Sequence, residues 1–141
     1  MSGFLLDTNV ISELVKPRPE PAVVRWVEET DENLLYLSVL TLGEIRKGIA
    51  VLQKSVRRVA LEAWLESDLR LRFSKRILPI DEGIADRWGA LAGQAQNDGR
   101  ALPVIDGLLA ATAIHHNLTL VTRNTSDIAA TGVLLFNPWE S

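Results

Sequence analysis

The sequence predicts an α/β fold with a central, mostly parallel sheet of four to five strands and helices on both faces. Two observations carry this. Short apolar runs alternate with longer stretches of helical periodicity, so the chain reads as successive βαβ units. The runs are also continuous rather than alternating, as in strands buried on both faces. With 141 residues, no internal repeat and no low-complexity segment, the chain is expected to form one domain over residues 1–141.

Phe4-Leu5-Leu6 reads as the first strand, ending at Asp7. Asn9 is expected to cap a helix over residues 10–15, which stops before Lys16-Pro17-Arg18-Pro19, a link too short to separate domains. A second helix over residues 22–29 places Val23, Trp26 and Val27 on one face. Leu34 to Ser38 forms the second strand, and Thr41 is expected to cap a helix that carries Glu44 and runs towards Leu52. A long amphipathic helix follows over residues 57–73, then a third strand over residues 77–80. The helix over residues 82–97 closes at the turn signal Asp98-Gly99. An apolar helix over residues 104–115 has Asp106 in its first turn; residues 118–121 form a fourth strand and residues 133–136 a fifth at an edge.

Absence of cysteine rules out disulfides and thiolate metal sites, and suits the cytosol. No signal peptide and no membrane span are read in the chain, so the expected location is cytoplasmic. The net charge of −3 is unevenly spread. Between Arg46 and Arg76 nine basic residues face three acidic ones, a local +6, which leaves −9 for the remainder. Such a stripe, including Arg46, Lys47, Arg57 and Arg58, can attract phosphates; a solvated helix face laced with i,i+4 pairs, such as Glu62 with nearby arginines, accounts for the run equally simply.

The chemistry-bearing residues are acids. Asp7 ends the first strand, Glu44 lies early in the helix after the second, Asp106 opens the apolar helix, and Asp127 follows the fourth strand. In a parallel sheet all four fall near the carboxyl edge, where ligands gather. Crowded carboxylates repel unless a cation joins them. Hard oxygen donors suit Mg²⁺ or Mn²⁺, which keep waters and bind substrate phosphates. That chemistry hydrolyses phosphodiesters without a covalent nucleophile, and the chain has no Gly-x-Ser-x-Gly and no Gly-x-x-x-x-Gly-Lys loop. Taken singly, each acid has a plainer role: Asp7 and Asp127 as caps or turn residues, Asp106 at a helix N-terminus, Glu44 paired with Arg46 or Lys47. Their shared topological position favours the metal. His115-His116 lacks zinc spacing and is assigned to a helix end.

The run Leu5-Leu6-Asp7-Thr8-Asn9-Val10-Ile11-Ser12-Glu13 resembles the opening of PIN-domain ribonucleases, in particular the VapC toxins of toxin–antitoxin pairs. The Glu44 helix, the Asp106-to-Ala113 stretch and Thr122-Arg123-Asn124 are similar to the later motifs of that family. Tyr36-Leu37-Ser38, Ile77-Leu78-Pro79 and Phe136-Asn137-Pro138-Trp139 resemble its FitB-like branch. The resemblance implies a three-layer α/β/α PIN fold, Mg²⁺ or Mn²⁺ as cofactor and cleavage of RNA. It also implies a homodimer and a small antitoxin that blocks the toxin and binds operator DNA for the pair. Asp7, Glu44 and Asp106 match the metal-site acids of the family; the fourth position falls on Asn124 or Asp127, and Thr8 and Thr122 match polar residues beside the site. A haloacid-dehalogenase-like phosphatase would need an Asp where Asn9 stands, and a receiver domain would need paired acids before its first helix. A regulatory subunit of an antitoxin–DNA complex with vestigial nuclease activity is the competing reading.

Overall fold

The computed structural model describes residues 2–141. Strands β1 (Phe4–Leu6), β2 (Leu35–Ser38), β3 (Ile77–Leu78), β4 (Thr119–Val121) and β5 (Leu135–Phe136) form one sheet in the order β3-β2-β1-β4-β5. Every pairing is parallel. The chain therefore builds outward from β1 on one side, then returns to build outward on the other. The order reverses between β1 and β4, and that switch point opens a crevice at the carboxyl edge. The five-stranded parallel sheet predicted from the apolar runs is thus present.

Among the described residues eight α-helices cover it: α1 (Thr8–Leu14), α2 (Pro21–Glu29), α3 (Val39–Ala50), α4 (Val56–Ala63), α5 (Arg70–Arg72), α6 (Glu82–Asn97), α7 (Val104–His116) and α8 (Thr125–Ile128). Successive strand residues serve opposite layers. Leu6 and Val121 pack with Val10, Ile11, Ile45 and Phe73 under α1 to α5, while Leu5 and Leu120 pack with Leu109, Ala113 and Ile128 under α7 and α8. Leu5, Leu6, Leu120 and Val121 are all fully buried. Trp26 lies between Phe4 and Phe136, each ring centroid 5.1 Å away.

Four boundaries differ from the sequence expectation. Asp7, not Asn9, caps α1, and Ser38, not Thr41, caps α3 by accepting from the Leu40 amide. In both cases the strand ends directly on a side chain that can cap, so no linker separates strand from helix. The expected single helix over residues 57–73 is interrupted by a π-helical stretch, Trp64–Leu69. The buried residues along this segment, Leu65, Leu69 and Phe73, are spaced four apart. That spacing overshoots an α-turn by about 40° per step, which looser π-winding absorbs. Finally, β3 ends at Leu78, because Pro79 offers no amide to the ladder.

Candidate metal and phosphodiester site

Asp7 leaves the central strand in an extended conformation, φ −69° and ψ 159°, and this turns its carboxylate onto the start of α1. Oδ1 accepts from the Thr8 amide at 2.6 Å. Oδ2 accepts from Thr122 Oγ1 at 2.7 Å, and more distantly from Asn9 Nδ2 at 3.4 Å. The side chain does what a helix cap does, yet it is only 5% exposed. Burial raises its pKa above the usual 3.8, the Glu44 charge adds to the rise, and the Thr122 and Thr8 bonds only partly offset it.

Glu44 lies in the second turn of α3, where Thr8 Oγ1 donates to its Oε1 at 2.5 Å. It does not pair with Arg46, which binds Glu66 instead. Thr41, misread as a cap, lies fully buried beneath the site with its Oγ1 3.4 Å from that of Thr8. Asp106 stands in the first turn of α7, half-buried. Its pKa is raised by burial first, then by the charges of Asp7, Asp127 and Glu44. Gly107 seats that turn: a Cβ there would lie 3.0 Å from the Trp88 ring and 3.2 Å from Leu102. Asp127, exposed in the first turn of α8, reaches the cluster through its charge on Asp106. The Asn124 amide donates to Thr122 Oγ1 at 3.0 Å, while the Asn124 side chain makes no cap bond.

The structure therefore brings Asp7, Glu44, Asp106 and Asp127 to one edge, with Thr8 and Thr122 as hydroxyl braces between them. Among the described residues, no three or more His, Cys, Asp or Glu side chains are gathered tightly enough to cage an ion. The donor set suits a cation that takes one or two carboxylates and completes its shell with water and phosphate, as Mg²⁺ does. Asn9 is a member that sequence reasoning placed wrongly. Its Nδ2 faces Thr122 Oγ1 and Asp7, and its buried Oδ1 has no partner among the described residues. Its place beside Asp7 in the sequence was the available signal.

The basic stripe divides. Arg72 and Arg76 clamp Glu32, and Arg76 also donates to the Leu35 carbonyl, so both serve the fold. Arg58 donates to the Leu52 carbonyl at 2.8 Å and lies 3.9 Å from Glu62, the expected i,i+4 partner. Lys47 lies beside Glu44 at a shallow recess lined by Val39 and Ile105. Arg57 is exposed and flanks a groove that runs from Thr8 and Glu44 over Ile45, Ile49 and Trp64. His115 and His116 close the last turn of α7, away from the acids.

A parallel sheet that reverses at its central strand and carries interacting carboxylates at the reversal defines an α/β protein with an acidic edge site. The chain belongs to the PIN domain family, whose profile matches residues 4–133. It is 40% identical over 136 residues to Toxin FitB of Neisseria gonorrhoeae, covering 96% of this chain and 98% of that one. It is 38% identical over 137 residues to VapC ribonuclease Y4jK of Sinorhizobium fredii, covering 97% and 98%. Among solved structures, FitAcB from Neisseria gonorrhoeae superposes with a TM-score of 0.93 at 39% identity, over 98% of this chain and 99% of that one. FitAB bound to IR36 DNA gives 0.92 at 38%, over 96% and 95%.

Proposed function

We propose that this chain is a ribonuclease toxin of a toxin–antitoxin pair, hydrolysing RNA phosphodiester bonds at the Asp7, Glu44, Asp106 and Asp127 cluster with Mg²⁺ or Mn²⁺. The observation that carries this is the convergence of the acids on the switch point, where Thr8 bridges Asp7 and Glu44, Thr122 fixes Asp7, and Asp106 feels the charges of Asp7, Asp127 and Glu44. Asp7, Glu44 and Asp106 would hold the ion between them, one or two of them directly and the rest through its waters. An ion held by these residues would supply a lowered pKa for a bound water and would offset charge on the phosphoryl oxygens. Thr122 fixes one Asp7 oxygen, and Thr8 fixes Glu44, so neither carboxylate must reorganise when phosphate arrives. The names of the relatives, a toxin and a VapC ribonuclease, agree with this reading. The test is incubation of antitoxin-free protein with total RNA in Mg²⁺, Mn²⁺ or chelator, followed by mapping of new ends. Metal-dependent ends support the proposal; none in any condition rejects it. That second result would favour the alternative, a regulatory subunit, to which the DNA-bound FitAB relative gives weight.

The proposal includes a homodimer and a small antitoxin whose C-terminal segment lies across the acidic edge and presents an Arg or Lys. A guanidinium can bridge two carboxylates with paired hydrogen bonds in place of the metal. Operator DNA binding then falls to the antitoxin, since this chain carries a net −3. Operator binding and RNase activity should be compared for toxin, antitoxin and mixture. Tight operator binding by this chain alone, or full RNase activity in the saturated complex, contradicts that division of labour.

Arg57 is proposed to contact RNA. Replacing Arg57 by Gln is expected to weaken RNA binding and flatten its salt dependence by about 0.7 in logarithmic slope. Arg58→Gln is expected to leave the slope unchanged, because that guanidinium is anchored on the Leu52 carbonyl and its charge is offset by Glu62 at 3.9 Å. Equal slopes for the Arg57 variant and the parent would return the whole stripe to a solvated helix face.

A further inference from the structure

Resting on the ribonuclease reading, we infer that Arg123 is a backbone-phosphate contact for the RNA strand and that the C-terminal Trp139 is the positioning residue that holds it. Arg123 directly follows Thr122, the residue whose hydroxyl donates to Asp7, at the carboxyl end of β4. Thr122 is fully buried and Arg123 exposed, so the chain turns one side chain into the site and the next out along its rim. The guanidinium lies 5.2 Å from the Trp139 ring centroid.

Among the described residues three arginines face an aromatic ring, and the other two make the comparison. Arg72 and Arg76 lie 5.3 and 5.1 Å from the Phe73 ring, but both are tied to Glu32. Arg123 has no carboxylate partner among the described residues. An aromatic face steadies a cation without consuming its hydrogen-bond donors. The indole is itself well held. Pro138 is buried, the Trp139 amide donates to Asn137 Oδ1 at 2.9 Å, and the indole packs against the core layer of Leu6 and Val121. The tail starts beside the site, because the Thr122 amide donates to the Phe136 carbonyl at 3.0 Å. A polyanion approaching four carboxylates needs a fixed cation at their rim. Between Thr122 and Asp127, Arg123 is the one basic residue.

The experiment measures RNA binding against salt in metal-free buffer, and steady-state cleavage with Mg²⁺, for the parent, Arg123→Gln, Trp139→Phe and Trp139→Ala. Thermal melting confirms that each variant is folded. The expected result for Arg123→Gln is a salt slope shallower by about 0.7 and a KM raised about tenfold, with kcat within about twofold. Trp139→Phe should keep most of the parental slope and Trp139→Ala should lose it; if the latter does not fold, the Arg123 variant decides. Parental cleavage with an unchanged slope and KM in Arg123→Gln overturns this inference alone. Absence of RNA cleavage and binding in the parent overturns it together with the ribonuclease reading. Loss of antitoxin capture in Arg123→Gln with RNA binding unchanged also overturns it, assigning the arginine to a protein partner.

Discussion

Asp7→Asn and Asp106→Asn are each expected to abolish RNA cleavage, by roughly a thousandfold or more, while leaving the fold intact. The substitution keeps size and shape and removes only the charge that would hold a cation. At Asp7 the capping bond to the Thr8 amide survives, because an amide oxygen accepts as a carboxylate oxygen does. The new amide nitrogen would face Asn9, whose unpartnered Oδ1 can turn to accept from it. Initial rates on a defined RNA, with circular dichroism on the same samples, check the result. Unchanged cleavage by both variants would remove these acids from the site.

The second large effect is on stability, and its sign depends on metal and pH. Burial raises the folded-state pKa of Asp7 above 3.8, so the folded protein binds the proton more tightly than the unfolded chain does. Stability from that group is fully present below about pH 3.8 and is lost as pH rises through the raised pKa. Asp106 acts in the same direction. Each tenfold gain in proton affinity corresponds to about 1.4 kcal/mol of stability forfeited at neutral pH. Asp7→Asn carries no such loss, so in metal-free buffer at pH 7 it should melt above the parent. The difference should close as pH falls below 4. The carboxyls of Glu13 and Glu32, held low by Lys16 and Arg72, lose stability at acid pH in both proteins and cancel from the comparison. Mg²⁺ should reverse the order: at a hundred times its Kd it adds about 2.7 kcal/mol to the parent alone. A parent more stable than the variant without metal at pH 7 would show that Asp7 is a structural acid only.

Much of this was legible in the residues, for identifiable reasons. Strands buried on both faces are largely apolar, so Phe4-Leu5-Leu6 and Leu118 to Val121, interrupted only by Thr119, announced themselves. The parallel topology then carried Asp7, Glu44, Asp106 and Asp127 to one edge without any knowledge of side-chain contacts. Harder to see were features set by residues distant in sequence. Thr41 has the composition of a cap and becomes a buried brace, because Ser38 already satisfies the helix start. Arg76 reads as one more base in a positive run, yet Glu32, 44 residues away, makes it a structural clasp. Trp139 could be recognised as an anchor, but nothing local links it to Arg123. Such pairings depend on how elements pack, and charge counts along the chain do not contain them.

The reversal of strand order at β1 also governs when the site can exist. Asp7 is made before Thr122, which fixes its carboxylate from 115 positions later, and the strand that delivers Thr122 must first pair with β1. A product ending between α7 and β4 carries Asp7, Glu44 and Asp106 without the hydroxyl that fixes Asp7. The order of synthesis thus sets a delay: the Asp7 carboxylate is held in place only once β4 has been made and paired.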